Sequence, residues 1–320
     1  MRVCVLYDEP IEVFDPGPFL ENYEWELVIL QHPVLETIRS VAEQNEFDVY
    51  FNLCDGGYGE DYLGIEVVKA LEELELPFTG GDSKFYDPTR EQMQAVAEAN
   101  GVGFARGFRV TQAENVEAAA QKLRYPMMVK HPHGYGSNGM TRASRVDNAQ
   151  ALRAQVERIC AEFGGARVEE FIDGPEFTVL VADDPDDLEH PFVYPPAQLI
   201  FPDGEDFLHS DAKWIQEVFF APVAEHDPLL ANRLQEMSRK MYLAMGGRSY
   251  GRCDIRMRPD GELYMLEINP NCGILYFPEE LGPADVVMDC DPDGHDGFLD
   301  RIFRSAIVRQ REKLKKVSAL

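Results

Sequence analysis

A chain of 320 residues has room for one large domain or two to three modest ones, and a composition 45% hydrophobic and 11% aromatic suits packed cores rather than a disordered polymer. Thirty basic residues against 57 acidic give a formal net charge of −27, a field that repels nucleic-acid phosphates and anionic headgroups, so neither nucleic acid nor a membrane is an expected partner. The acidity is uneven: residues 1–84 hold 19 acidic and 4 basic residues, which places any site for an anionic ligand beyond residue 84.

Six cysteines form no CxxC pair and lie in apolar or strand-like stretches, the pattern of buried thiols in a reducing compartment. The sequence holds no run of 18 apolar residues, and its start turns acidic at Asp8 and Glu9. A cytoplasmic protein is expected.

In chain order, Val3 to Tyr7 and Phe47 to Cys54 read as short buried strands. Asp61 to Leu76 carries apolar residues at helical spacing, so residues 1–84 form an alternating α/β unit. A second unit, 85–165, opens with DPTREQMQAVAEANG, where Asp87 as cap, Pro88 and the closing Asn100–Gly101 bound a helix. Strands at Gly107 to Thr111, Met127 to Lys130 and Met140 to Val146, with helices at Ala113 to Leu123 and Asp147 to Phe163, make this unit α+β. The third unit, 166–320, has strands at Val168 to Phe171, Phe177 to Val181, Tyr194 to Phe201, Gly251 to Met257 and Glu262 to Ile268. Their apolar–polar alternation predicts an antiparallel sheet covered on one side by the helices Leu229 to Met245 and Phe298 to Lys315.

Three constellations carry chemistry. After Lys130 comes HPHGYGSNGM, whose Gly134, Gly136, Ser137 and Gly139 allow close backbone approach to phosphate oxygens. Alone it reads as a hairpin or as a phosphate cover, and it has neither the P-loop nor the dinucleotide spacing. His131 and His133 beside it are polar lid residues or proton shuttles. In RCDIRM and LEINPN, period-2 alternation puts Arg252 and Asp254 on one face of a strand and Glu267 and Asn269 on one face of the next, joined by a hairpin through Pro259, Asp260 and Gly261. Two carboxylates and an amide oxygen then suit Mg²⁺; the alternative is an Arg252–Glu267 surface ion pair. In VEEFIDGPEFTV, Glu169, Phe171 and Glu176 either meet a nucleoside or stand as solvated edge residues.

The ordered set formed by Lys130, the glycine-rich loop, VEEFIDGPEFTV, Lys213, RCDIRM and LEINPNCG resembles the ATP-grasp superfamily, and within it the D-alanine–D-alanine ligase branch. GEDYLGIEVVKALEELELPFTGG is similar to that branch's N-terminal domain, so the likeness runs from about residue 47 to 290. The resemblance implies an ATP-grasp fold of class α/β with α+β domains: an N-terminal α/β domain, a central α+β lid domain and a C-terminal antiparallel-sheet domain. It implies ATP and one or two Mg²⁺ as cofactors, small-molecule carboxylate and amine substrates, and a homodimer.

Residue by residue, the resemblance gives Lys130 the α- and β-phosphates, Ser137 and Gly139 the phosphate cover, and Arg90 a nucleotide contact. Glu169 takes the adenine amino group, Phe171 the ring edge and Glu176 the ribose. Lys213 approaches the γ-phosphate, while Asp254, Glu267 and Asn269 hold the metal. Arg252 and the Gly273 N–H stabilise developing negative charge. Glu60 positions an amino substrate or merely favours a helix N-terminus.

The departures concern the substrate pockets. YDEPIEVFDPGP replaces a glycine-rich segment with Ser and Glu, Asp55 replaces a His, Trp214 a Tyr, and Gly136 a Ser. Ile274, Leu275, Tyr276, Phe277 and Pro278 replace small and hydroxyl residues after Gly273, with Asn271 and Cys272 as pocket wall. The expected activity is therefore an ATP-dependent carboxylate–amine ligase that forms an amide through an acyl phosphate, other than D-alanyl-D-alanine synthesis, with a bulkier or more apolar acceptor. A kinase-like ATP-grasp enzyme with a non-amine acceptor and a non-catalytic nucleotide-binding module are the alternatives.

Overall fold

The computed structural model describes residues 1–9, 14–57, 61–113, 116, 120–133, 137–209, 219–276 and 282–318. Three sheets follow one another along the chain. In the first, β1 (Arg2–Tyr7) lies between β2 (Glu24–Ile29) and β3 (Val49–Asn52), all parallel. Alternation assigns its two faces: Cys4, Leu6 and Tyr50 meet helices α1 (Val34–Gln44) and α2 (Ile65–Glu73), while Val3, Val5 and Phe51 face the opposite core. The predicted helix at 61–76 is thus shorter than its apolar pattern.

Helix α3 (Arg90–Ala99) leads into the second sheet. Its cap is Thr89 rather than Asp87: the Thr89 hydroxyl accepts from the Gln92 N–H while the Gln92 side chain accepts from the Thr89 N–H, a reciprocal box that the Asp-Pro start does not supply. The second sheet is antiparallel. It contains β4 (Gly107–Val110), β5 (Met127–Lys130), β6 (Arg145–Val146) and β7 (Ala166–Glu170), in the order β4-β7-β5-β6. Helix α4 (Ala149–Phe163) starts at the Asn148 cap, and its Leu152, Val156 and Ile159 cover Met127, Val129 and Val168. The predicted strand at 140–146 keeps only its last two residues, because Arg142–Ser144 form a 3-10 turn. The predicted helix at 113–123 falls largely outside the described residues. Strand β7 begins at the proposed third unit yet pairs between β4 and β5, so the second unit is proposed to extend through Glu170.

The third sheet is antiparallel in the order β11-β10-β8-β12-β13, with β9 (Phe192–Val193) beside β8. Its remaining strands are β8 (Glu176–Ala182), β10 (Ala197–Ile200), β11 (Phe219–Pro222), β12 (Tyr250–Met257) and β13 (Leu263–Pro270). Helix α5 (Pro228–Ala244) covers the face bearing Val179, Cys253 and Ile255. After α6 (Pro283–Asp289), helix α7 (Gly294–Ser318) returns to the first sheet, where Phe303 meets Phe51 edge-on with centroids 5.1 Å apart. All six cysteines are free. Among the described residues no helix is long and apolar enough to cross a membrane.

Candidate active site

The faces of the second and third sheets that their helices leave uncovered bound an open cleft. Period-2 alternation selects its residues. On β5 and β7, Met127, Val129 and Val168 pack under α4, which leaves Lys130 and Glu169 for the cleft; on β12, Cys253 and Ile255 turn to α5, which leaves Arg252, Asp254 and Arg256. Every described residue lining the cleft lies beyond residue 84.

The hairpin of β12 and β13 forms as its turn residues predict, with Arg258 N donating to Glu262 O at 2.9 Å and Gly261 at φ 85°. Its register sets Arg252 opposite Asn269 and Asp254 opposite Glu267, with a bulge immediately after Asp254. Asp254 is gripped from three sides. Arg252 donates from Nε and Nη2 to its two oxygens at 3.0 and 2.9 Å, Asn269 Nδ2 donates at 2.9 Å, and Thr178 Oγ1 at 3.2 Å. The ion pair of this hairpin is therefore Arg252–Asp254, not Arg252–Glu267. Burial opposes the charge on Arg252, but Asp254 prevails and pushes the guanidinium above its ordinary range.

Glu267 pairs with Arg90, which also reaches Leu266 O at 3.4 Å. Burial raises the Glu267 carboxyl, but Arg90, with Lys130 and Arg252 beyond it, holds the net shift below the usual carboxylate range. Since the Asn269 amide spends its NH₂ on Asp254, the carbonyl oxygen is what it can offer a cation. Among the described residues no group of three or more His, Cys, Asp or Glu is set to enclose a metal. Two carboxylates and an amide oxygen instead fit Mg²⁺, which keeps open positions for phosphate oxygens and water.

Lys130 and Glu169, which the resemblance gives separate tasks, form one ion pair at 2.6 Å because β5 and β7 are antiparallel neighbours. Arg167 Nε binds the other Glu169 oxygen at 2.7 Å and its Nη1 reaches Glu91 at 2.8 Å. Glu169 is 1% exposed. Burial alone would raise its carboxyl, but Lys130 and Arg167 bring it down to about 2.

The far end of the cleft is apolar. Phe171 clusters with Met128, Met140 and Phe207, and the guanidinium carbons of Arg145 and Arg256 each lie 4.9 Å from its ring centroid. Arg256 also meets Glu176 at 3.0 Å and donates to Ile172 O at 2.8 Å; burial nevertheless raises the Glu176 carboxyl. Sequence reasoning missed Arg145, Arg167, Arg256 and the two methionines. Arg256 had a signal, standing at the same spacing of two as Arg252 and Asp254.

Ser137, at φ 64°, donates its hydroxyl to Leu208 O at 3.4 Å. Arg145 pairs with Asp206 at 2.6 Å and Arg142 with Glu205, so residues 137–145 are tied to residues 205–208. Gly139 does not face the cleft as expected. Its backbone sits on α4, where a Cβ would stand 2.5 Å from Phe163 Cε2 and Arg158 donates to its carbonyl at 2.7 Å. His131 lines the cleft and accepts from the His133 N–H at 3.0 Å.

Beyond β13 lies a second cavity, lined in part by Asp55, Asn271, Cys272, Gly273 and Tyr276. Asn271 is a wall rather than a free substrate contact: it accepts from the Tyr250 hydroxyl at 3.1 Å and donates to Cys54 O at 3.2 Å. Burial pushes the Cys272 thiol up to about 12, which suits a wall residue and not a nucleophile. The Tyr276 hydroxyl stands over Gly273, so a side chain there would have to displace it. Glu60, Lys213, Trp214 and Phe277 lie outside the described residues, as do Gly134 and Gly136.

The family described as D-ala D-ala ligase C-terminus matches residues 95–278, more than half of the chain. The chain belongs to the D-alanine–D-alanine ligase family. It is 28% identical over 255 residues to the D-alanine–D-alanine ligase of Mannheimia succiniciproducens, which covers 76% of this chain and 77% of the relative. The crystal structure of D-alanine–D-alanine ligase from Bacillus anthracis has a TM-score of 0.73 at 19% identity, over 98% of this chain and 99% of that one. The ATP complex of the Bacillus anthracis enzyme gives a TM-score of 0.71 over the same shares. The fold is that of the ATP-grasp D-alanine ligases. As a member of this ligase family the protein is an ATP-grasp enzyme that uses ATP and Mg²⁺ and joins a carboxylate to an amine.

Proposed function

We propose that the chain activates the carboxylate of an amino acid as an acyl phosphate and passes the acyl group to an amine other than D-alanine. The observation that carries this reading is one cleft in which Arg90, Lys130, Arg252 and Arg256 stand paired with Glu267, Glu169, Asp254 and Glu176. Cations for phosphate oxygens beside carboxylates for a divalent ion suit Mg-ATP. The rebuilt pocket around Tyr276 supports an acceptor other than D-alanine.

Bound Mg²⁺, held by Asp254, Glu267 and Asn269, would offset charge on the phosphate oxygens. Arg90, Lys130 and Ser137 bind the phosphates, Lys213 the γ-phosphate. Phe171 and the methionines seat the adenine, with Glu169 at its amino group and Glu176 at the ribose. A carboxylate oxygen of the substrate attacks the γ-phosphorus, a P–O bond forms, and the bond to the β-phosphate oxygen breaks as ADP leaves. A neutral amine then attacks the acyl carbon. The tetrahedral oxyanion lies against Arg252 and the Gly273 N–H; the C–N bond stays, the C–O bond to phosphate breaks, and the surplus proton of the nitrogen leaves to water. Residues 137–145, tied to 205–208, exclude water from the acyl phosphate. The resemblance assigns Trp214, Asp55 and Phe277 to the substrate pocket and adds a homodimer, tested by sedimentation; Glu60 positions the amino substrate. Six free thiols support a cytoplasmic setting.

The test is phosphate release from Mg-ATP with D- and L-amino acids and simple amines, singly and in pairs, with products read by mass. Release confined to particular pairs, with an amide mass, is expected. Phosphorylated acceptor without amide would indicate a kinase. D-Alanyl-D-alanine as the preferred product would overturn the proposed acceptor.

A further inference from the structure

The second cavity has the chemistry of a receptacle for an organic cation. Four aromatic residues, Tyr7, Phe14, Tyr250 and Tyr276, contribute to its walls; Tyr7 and Phe14 meet edge-on with centroids 5.5 Å apart. Asp55 lines the same space, and the Tyr7 hydroxyl donates to Glu9 at 3.2 Å. Asp285 is fully buried nearby, where Oδ1 accepts from the Leu275 N–H beside Tyr276 at 2.7 Å and lies 3.0 Å from His295 Nε2, while Oδ2 has no hydrogen-bond partner among the described residues. Burial, and then the fields of Asp55 and Asp285, push the Tyr276 hydroxyl up, which marks the negative potential there.

None of the described residues lining this cavity is Lys, Arg or His. Arg252, whose field reaches Cys272 and Tyr276 from the neighbouring cleft, has Nε and Nη2 committed to the two oxygens of Asp254. The described residues of the stretches 7–15, 53–62 and 271–285, from which nearly all of the lining is drawn, include six Asp and Glu and no Lys, Arg or His. The α-carboxylate of an amino-acid acceptor would meet no cationic side chain among the described residues lining this space, whereas an ammonium would meet aromatic faces and a negative field.

Resting on the ligase reading above, we infer that the amine substrate is of the diamine class: one amino group attacks the acyl phosphate, and a second, still protonated, sits in the aromatic and acidic cavity with no α-carboxylate beside it. The cavity begins at Asn271, two positions beyond Asn269, so it adjoins the proposed reacting centre. The product is then an amide carrying a free ammonium, not a dipeptide acid.

The experiment uses the full chain with Mg-ATP in two stages. First, hydroxylamine replaces the amine while D- and L-amino acids are screened as donors, and hydroxamate reports the acyl phosphate. Second, with the best donor, 1,3-diaminopropane and 1,4-diaminobutane compete against n-butylamine, D-alanine and D-serine. The diamines are expected to show a KM at least about tenfold below those of n-butylamine and D-alanine. In Asp55→Asn the diamine KM is expected to rise by about tenfold, so that the preference over n-butylamine narrows. Hydroxamate formation with D-alanine or D-serine preferred as acceptor, or with no diamine turnover, overturns the inference and leaves the ligase reading standing. Absence of hydroxamate with every donor overturns both.

Discussion

Arg252 holds both oxygens of Asp254, two positions farther along the same strand, and Asn269 reaches that carboxylate from the strand alongside. The arrangement fixes the Asp254 carboxylate at a position suited to a cation and holds a guanidinium where a tetrahedral oxyanion would form. In Arg252→Lys the planar fork is lost while Asn269 and Thr178 still satisfy Asp254. The expected result is a fall in kcat of about 100-fold, with little change in melting temperature. A melting temperature that drops in step with activity would mark the pair as structural.

Glu267→Gln removes a proposed metal ligand and leaves Arg90 without its carboxylate. Turnover should fall by about 100-fold, and the Mg²⁺ concentration for half-maximal rate should rise, while stability falls by about 1–3 kcal/mol through Arg90. Magnesium titrations of the steady-state rate beside urea melts separate the two effects.

The ion pairs of Glu169 predict a pH dependence. Burial disfavours its ionised form, but Lys130 and Arg167 outweigh burial and hold the carboxyl at about 2 rather than 4.5. A folded-state pKa below the unfolded one contributes stability that is fully present above about pH 4.5 and lost as the pH falls towards about 2. The gap corresponds to roughly 3 kcal/mol. Urea midpoints of wild type and Glu169→Gln should therefore converge as the pH is lowered from about 6 to about 3. Parallel curves would mean that the ion pairs contribute no such stability.

Gly139→Ala tests how tightly the lid sits on α4. A Cβ there meets Phe163 at 2.5 Å, on a backbone at φ 69° that alanine tolerates poorly. A loss of about 1–3 kcal/mol is expected by chemical denaturation. The KM for ATP should rise as well, since Ser137 lies in the same loop.

The motifs of β12 and β13 were legible because period-2 alternation and a Pro-Asp-Gly turn are local properties of the chain. Strand β2 and helix α1 went unread. Half of β2 faces solvent, so Glu24–Ile29 lacks the apolar run that marked β1, and α1 begins at Pro33 with no side-chain cap. The pairing of β7 with β4 and β5 was hidden for a different reason: strand partners are set by tertiary packing, and nothing within Ala166–Glu170 says which sheet takes it. The same holds for Arg167, which binds Glu91 from 76 residues away, and for Arg145 and Arg256, which converge on Phe171 from separate elements. In sequence the second cavity showed only as a set of departures. Tyr7, Asp55, Tyr250 and Tyr276 become one wall only when the first and third sheets come together.

Oxygen-18 tracing of the carboxylate tests the central claim most directly. The amino acid that best supports phosphate release is labelled in both carboxylate oxygens and turned over with Mg-ATP and its amine. An acyl phosphate requires one labelled oxygen to leave with each inorganic phosphate, so singly labelled phosphate in step with amide is the predicted result. Unlabelled phosphate would place water, not the substrate carboxylate, at the γ-phosphorus and contradict the account.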